Sequence, residues 1–125
     1  MIVGTGVDLA EVDRVRAAVE RFGNRFVQRI FTPAEISYVE RKANRFERYA
    51  ARFAAKEAGM KALGTGWHRG VRWKDFEVIN LPSGRPTLLL HGQAKLIAEQ
   101  IGVKAISLSL THTAENGMAF VVFEG

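Results

Sequence analysis

From about Glu47 to Leu63 the small, apolar and charged residues recur with helical spacing, which predicts one long helix. At 100° per residue, Arg45, Arg48, Arg52 and Lys56 form a basic stripe, and Tyr49, Phe53 and Met60 form an apolar stripe beside it. Ala50, Ala54, Ala58 and Ala62 make a small-residue back. Glu57 borders the apolar stripe, and Lys61 follows it by one turn on the same side.

Upstream, Ile2 to Leu9 alternates as a strand, with Val3, Thr5, Val7 and Leu9 on one face and Gly4, Gly6 and Asp8 on the other. The second face is nearly bare, so a helix or ligand can approach it closely, and Asp8 is its one reaching group. Glu11 to Phe22 reads as a helix with Val12, Val15, Ala18, Val19 and Phe22 inward. Thr32, Pro33 and Glu35 mark the start of another, ending near Lys42. The long helix stops at Gly64-Thr65-Gly66. Beyond Trp67 the period changes to two: Trp73 to Leu81 and Thr87 to His91 flank the turn Ser83-Gly84-Arg85-Pro86. Gln93 to Ile101 reads as a short helix, and Ala105 to Thr113 with Gly117 to Phe123 as a closing antiparallel pair. These elements predict an α+β fold, a small antiparallel sheet packed on a long central helix, in one domain spanning 1–125.

Composition narrows the chemistry. There are no cysteines, which excludes disulfides, zinc-thiolate sites and thiol nucleophiles. No run is long and apolar enough to span a membrane, and the first residues lack signal-peptide character, so a cytoplasmic protein is expected. The formal charge is +5, and residues 1–64 hold most of it, with 12 Lys or Arg against 8 Asp or Glu. That asymmetry points to an acidic partner. Arg14, Arg21 and Arg25 recur at sevens and fours with few acids between them, which suits docking against an acidic helix.

Two readings stand at each candidate site residue. Glu57 is either the acid of an i,i+4 pair with Lys61 or the ligand of a hard metal ion whose phosphates the neighbouring cations hold. Asp8 either caps the following helix, with Glu11 completing a capping box, or reaches into a site. The Gly64-Thr65-Gly66 loop is a helix C-cap or a backbone cradle for a phosphate. His112, which ends the apolar row of Leu108 and Leu110, is a structural residue or a ligand to phosphate or ribose.

Gly4 to Leu9 (GTGVDL) followed by Phe53-Ala54-Ala55-Lys56-Glu57-Ala58-Gly59-Met60-Lys61 resembles the 4′-phosphopantetheinyl transferase pattern, a GxD strand ahead of F-x-x-K-E-x-x-x-K. Gly64-Thr65-Gly66, Gly84-Arg85-Pro86 and the strand Ser107-Leu108-Ser109-Leu110-Thr111-His112-Thr113 are similar to the short holo-acyl-carrier-protein synthase branch. Thr111 stands where that branch commonly has Ser, and Gly59 where Ala is usual. The resemblance implies Mg²⁺-dependent transfer of 4′-phosphopantetheine from coenzyme A to a serine of apo-acyl carrier protein, for fatty acid synthesis, releasing adenosine 3′,5′-bisphosphate. It implies Asp8 and Glu57 as metal ligands and, with Lys61, as catalytic residues. Arg45, Arg52, Lys56 and His112 would hold the other phosphates and the adenosine, with Gly64, Gly66 and Pro86 lining the nucleotide. Arg14, Arg21 and Arg25 become the carrier docking surface. The family is trimeric with sites between subunits, which suits a helix whose basic stripe points away from Lys61.

Three other readings are weighed against this one. A nucleic-acid module would use the basic 41–61 stretch, but its aromatics are not interleaved with the cations and no nucleic-acid motif is matched. A purely structural domain leaves Asp8 and Glu57 without a purpose. A broad-specificity transferase of secondary metabolism would, by family resemblance, be about twice this length.

Overall fold

The computed structural model describes residues 1–125, and its axis is the helix that the periodicity predicts. The elements in order are β1 (Ile2–Glu11), α1 (Val12–Phe22), α2 (Asn24–Ile30), α3 (Pro33–Glu40), α4 (Arg45–Leu63), a 3₁₀ turn (Trp73–Asp75), β2 (Phe76–Asn80), β3 (Pro86–Leu90), α5 (Gly92–Gln100), β4 (Ala105–His112) and β5 (Asn116–Glu124). The strands form two antiparallel sheets rather than one. β1, β5 and β4 make a three-stranded sheet in that order, and β2 and β3 pair as a separate hairpin. The fold is thus the expected α+β arrangement of small antiparallel sheets on a long central helix.

The small-residue back of α4 explains how it lies on the larger sheet. A Cβ on Gly4 would collide with the carbonyl of Ala62, and one on Gly6 with the carbonyl of Ala58. Gly117, on β5, meets the backbone of Ala50 and Ala51 in the same way. Backbone thus touches backbone, and β1 is held where its next inward residue, Asp8, comes level with α4. Ala54, Ala58, Val121 and Phe123 close the core around that contact.

Local signals set most of the ends. Thr32 caps α3, accepting from Glu35 N, while the Glu35 side chain accepts from Thr32 N at 3.0 Å, a full capping box. Gly64 ends α4 in the left-handed conformation, with Gly64 N and Thr65 N both donating to Met60 O. Other ends differ from expectation. β1 runs on to Glu11, so Asp8 lies inside a strand and does not cap α1. Its extension is fixed by pairing with β5, where Ala10 faces Gly117 and Glu11 faces Asn116, contacts that alternation alone does not reveal. Trp73 to Asp75 turns as 3₁₀ because Asp75 folds back to accept from Arg72 N at 3.1 Å, delaying β2 to Phe76.

Candidate active site

β1 and α4 together present Asp8, Glu57 and Lys61. Lys61 Nζ lies 3.4 Å from Asp8 Oδ1 and donates to Val7 O at 3.1 Å. The other Asp8 oxygen, Oδ2, is buried with no partner. Burial first, then a hydrogen bond that the protonated Glu57 makes to Asp8, and then the Asp8 charge, push the Glu57 acid up to about 7, with Lys61 pulling the other way. The i,i+4 pairing weighed for Glu57 is not what forms, because Lys61 turns to β1 instead. One ammonium therefore faces two carboxylates, and one acceptor is left over. Surplus negative charge with an orphaned oxygen fits a hard cation. No cluster of three or more candidate ligands exists here or elsewhere in the chain, so such an ion would draw most of its shell from a ligand's oxygens and water.

Glu57 also opens on a groove of about 350 Å³ between β1, α1, α2 and α4, lined by Leu9, Arg14, Val15, Phe26 and Phe53. Arg14 on its rim is well exposed, 3.7 Å from Glu11. Arg21 lies over the exposed Phe22 ring, and Arg25 borders a neighbouring groove with Phe22, Phe26 and Arg29. The row expected to face an acidic partner is thus on one side of the molecule, although Gly23 breaks it into two helices.

A second concavity, about 200 Å³, lies on the other side of α4. Three residues singled out from the sequence, Arg52, Pro86 and His112, meet there with Tyr38, Arg48 and Asn80. Arg52 is almost fully buried and its Nε has no partner. Arg48 gives its Nε to Asn44 Oδ1 at 2.8 Å, and His112 Nε2 is 3.4 Å from the Asn44 amide. No carboxylate lines this cavity. Its character is that of an anion site. Arg48 follows from the same helical stripe as Arg52, but Tyr38 and Asn80 come from α3 and β2 and carry no signal of proximity in the sequence.

The basic stripe itself is broken. Lys56, expected to hold phosphate, is fully buried and donates to Glu35 Oε1 and to Phe76 O, each at 2.7 Å. Its ammonium has no access to a ligand, and its part is to tie α4 to α3 and β2. Arg45 pairs with Glu40 at 2.9 Å and lies over the Phe46 ring, outside the cavity. Gly64 and Gly66 stay exposed beyond α4 and line neither hollow. The stripe therefore offers no continuous cationic surface of the kind a nucleic-acid backbone needs.

A profile of the 4′-phosphopantetheinyl transferase superfamily matches residues 4–119. The chain is 71% identical over 124 residues to the holo-acyl-carrier-protein synthase of Solibacter usitatus, covering 99% of both. It superimposes on the crystal structure of that synthase from Neisseria meningitidis with a TM-score of 0.91 at 32% identity, over 100% of both chains. The Helicobacter pylori synthase in complex with coenzyme A gives 0.84 at 28% identity, over 96% of this chain and 99% of that one. With the motif residues of β1 and α4 meeting as they do, the chain belongs to the 4′-phosphopantetheinyl transferase superfamily, as an enzyme of its holo-acyl-carrier-protein synthase branch.

Proposed function

We propose that this protein transfers 4′-phosphopantetheine from coenzyme A to a serine of apo-acyl carrier protein, activating the carrier for fatty acid synthesis. The observation that carries this reading is the Asp8–Glu57–Lys61 cluster, with its surplus carboxylate and orphaned Asp8 oxygen. In the reaction the serine oxygen forms a new bond to the phosphoryl group attached to pantetheine. The pyrophosphate bond breaks, and adenosine 3′,5′-bisphosphate leaves.

Asp8 and Glu57 would hold Mg²⁺, which when bound polarises the phosphoryl group and offsets the charge of the leaving phosphate. Lys61, already lodged against Asp8, stabilises negative charge growing on the pyrophosphate oxygens. The serine proton passes to a carboxylate of the Asp8–Glu57 pair or to a water bound beside it. The groove beside Glu57, rimmed by Arg14 and continued by Arg21 and Arg25, is the docking face for an acidic carrier helix. Arg48, Arg52 and His112 take the phosphate that the chemistry leaves untouched.

These two sites lie on different sides of α4, so one protomer does not wrap a single nucleotide between them. A homotrimer with active sites between subunits resolves this. The outer face of the larger sheet, with Val7, Leu9, Met118 and Phe120 all well exposed, supplies apolar surface for such an assembly. Mixed trimers of Glu57→Ala and Arg52→Ala chains should regain part of the activity each lacks alone, and no recovery in verified mixed trimers would refute shared sites.

The test of the reaction is intact mass spectrometry of apo-acyl carrier protein incubated with this enzyme, coenzyme A and Mg²⁺. The expected result is a gain of one phosphopantetheine group, lost with EDTA and with Glu57→Ala. No gain with any of several carriers would overturn the proposal.

A further inference from the structure

Arg52 is an unusual guanidinium: nearly fully buried, without a carboxylate partner, and with Nε unbonded. What holds it is Tyr38, whose ring lies under the Arg52 Cζ at 4.7 Å and also meets Lys42 Nζ at 5.0 Å. Burial alone would raise the Tyr38 phenol, but a hydrogen bond with Asn80 and the charges of Arg52, Lys42 and Arg48 bring it below its ordinary value. One aromatic ring on α3 is therefore the common neighbour of three cations, two of which, Arg48 and Arg52, line the cavity on that side of α4.

The choice of partner has a chemical consequence. A carboxylate in the place of Tyr38 would neutralise Arg52 and compete with any incoming anion. The Tyr38 ring attracts the guanidinium and its neutral phenol takes up only part of the N–H donor set, so the group is fixed in place and its charge is not neutralised. Elsewhere on the same helix the contrary choice is made. Arg45 is paired to Glu40 and Lys56 to Glu35, and neither reaches the cavity.

We infer that Tyr38 is a positioning residue for nucleotide recognition: its ring presets Arg52, with Lys42 and Arg48 beside it, to bind the phosphate monoester of coenzyme A rather than its pyrophosphate. This rests on the transferase reading above. The pyrophosphate is the group that reacts and must lie at Asp8, Glu57 and Lys61. The remaining phosphate of the same molecule is a compact dianion suited to a small cavity lined by arginines, His112 and Pro86.

The test is steady-state transfer with coenzyme A and with dephospho-coenzyme A, which keeps the reacting pyrophosphate but lacks the monoester. Wild-type enzyme should show a higher KM for the dephospho form at similar kcat. Tyr38→Leu should raise the KM for coenzyme A about tenfold, leave kcat and the KM for carrier protein unchanged, and leave the dephospho form unaffected. Tyr38→Phe, which keeps the ring but loses the hydroxyl's hydrogen bonds, should fall between wild type and Tyr38→Leu. A Tyr38→Leu effect equal on both nucleotides, or a Tyr38→Phe as impaired as Tyr38→Leu, would show a structural role and overturn the inference. If Tyr38→Leu does not fold, Tyr38→Met keeps apolar bulk without a π face and must show the same selective KM rise; wild-type kinetics in it would overturn the inference. Wild-type enzyme that transfers from both nucleotides with equal KM refutes this inference alone, whereas no transfer from either refutes the transferase reading.

Discussion

Lys56 and Lys61 lie five residues apart on α4, each beside a carboxylate, and the two regions they anchor are built on opposite principles. Around Lys56 nearly every polar group has a partner. Glu35 Oε1 accepts from Lys56 Nζ and from Thr32 N, Oε2 accepts from Val78 N at 3.1 Å, and Lys56 also donates to Phe76 O. Burial still pulls the Lys56 ammonium below its ordinary value against the attraction of Glu35, the mark of an ion pair whose desolvation is only just offset. Around Lys61 the charges do not balance: with Glu57 ionised two carboxylates meet one half-exposed ammonium, and an Asp8 oxygen then has nothing to accept. A saturated ion pair is structure. An unsaturated one of similar composition, open to a groove, is where a ligand completes the set.

The largest expected effects are a mirror pair that would break this contrast if they failed to separate. Lys56→Ala leaves Glu35 charged in the core without its cation and should cost about 3–5 kcal/mol of stability, read from urea denaturation. Glu57→Ala should leave stability intact and lower transfer about 10³-fold, roughly 4 kcal/mol of transition-state stabilisation, read by carrier mass shift. Lys56→Ala with wild-type stability, or Glu57→Ala that unfolds, would reverse the assignments. Next in size, Lys61→Ala should lower kcat about 10²-fold with little change in stability, since its Nζ reaches Asp8 only at 3.4 Å and is largely in water. A stability loss comparable to that of Lys56→Ala would mean that Lys61 is structural after all.

Much of this contrast was written in the sequence, and what was not has a physical reason. Thr32, Pro33 and Glu35 announce the α3 cap because capping is local. The glycines of β1 and the alanines of α4 announce a close contact because only small residues permit one. The pairing of Asp8 with Glu57 rests on motif residues far apart in the chain, and the superfamily resemblance brought them together before any coordinate did. Lys56 departs from the wheel's expectation for the converse reason. On a helical wheel it shares the stripe of Arg45 and Arg52, but the wheel does not show that α3 brings a buried Glu35 over that stripe. Glu35 itself looked accounted for as a capping residue, and nothing local signals that one of its cap-accepting oxygens also takes an ammonium. The setting of Tyr38 is not legible locally because, apart from Lys42 one turn on, its partners come from α4 and β2.

The smallest effect probes the imbalance itself. In the folded protein the Glu57 acid is raised from an ordinary 4.5 to about 7, so between those values the native state holds a proton that the unfolded chain has released. Stability of the metal-free protein should therefore fall as pH rises through this window, and above about 7 the full penalty of an ionised Glu57 beside Asp8 is present. Because Glu57 is only half-buried, solvent screening reduces that penalty to about 1 kcal/mol. Glu57→Gln removes the titration, so it should match wild type near pH 5 and exceed it by about this amount near pH 8, measured by denaturation in EDTA. The same ionisation that weakens the metal-free fold readies Glu57 for a cation, and added Mg²⁺ with coenzyme A should stabilise wild type, but not Glu57→Gln, more at about pH 8 than at about pH 5. Stability curves for the two proteins that run parallel across this range would mean that Asp8 and Glu57 do not share a site, and the distinction between the two lysine regions would then rest on exposure alone.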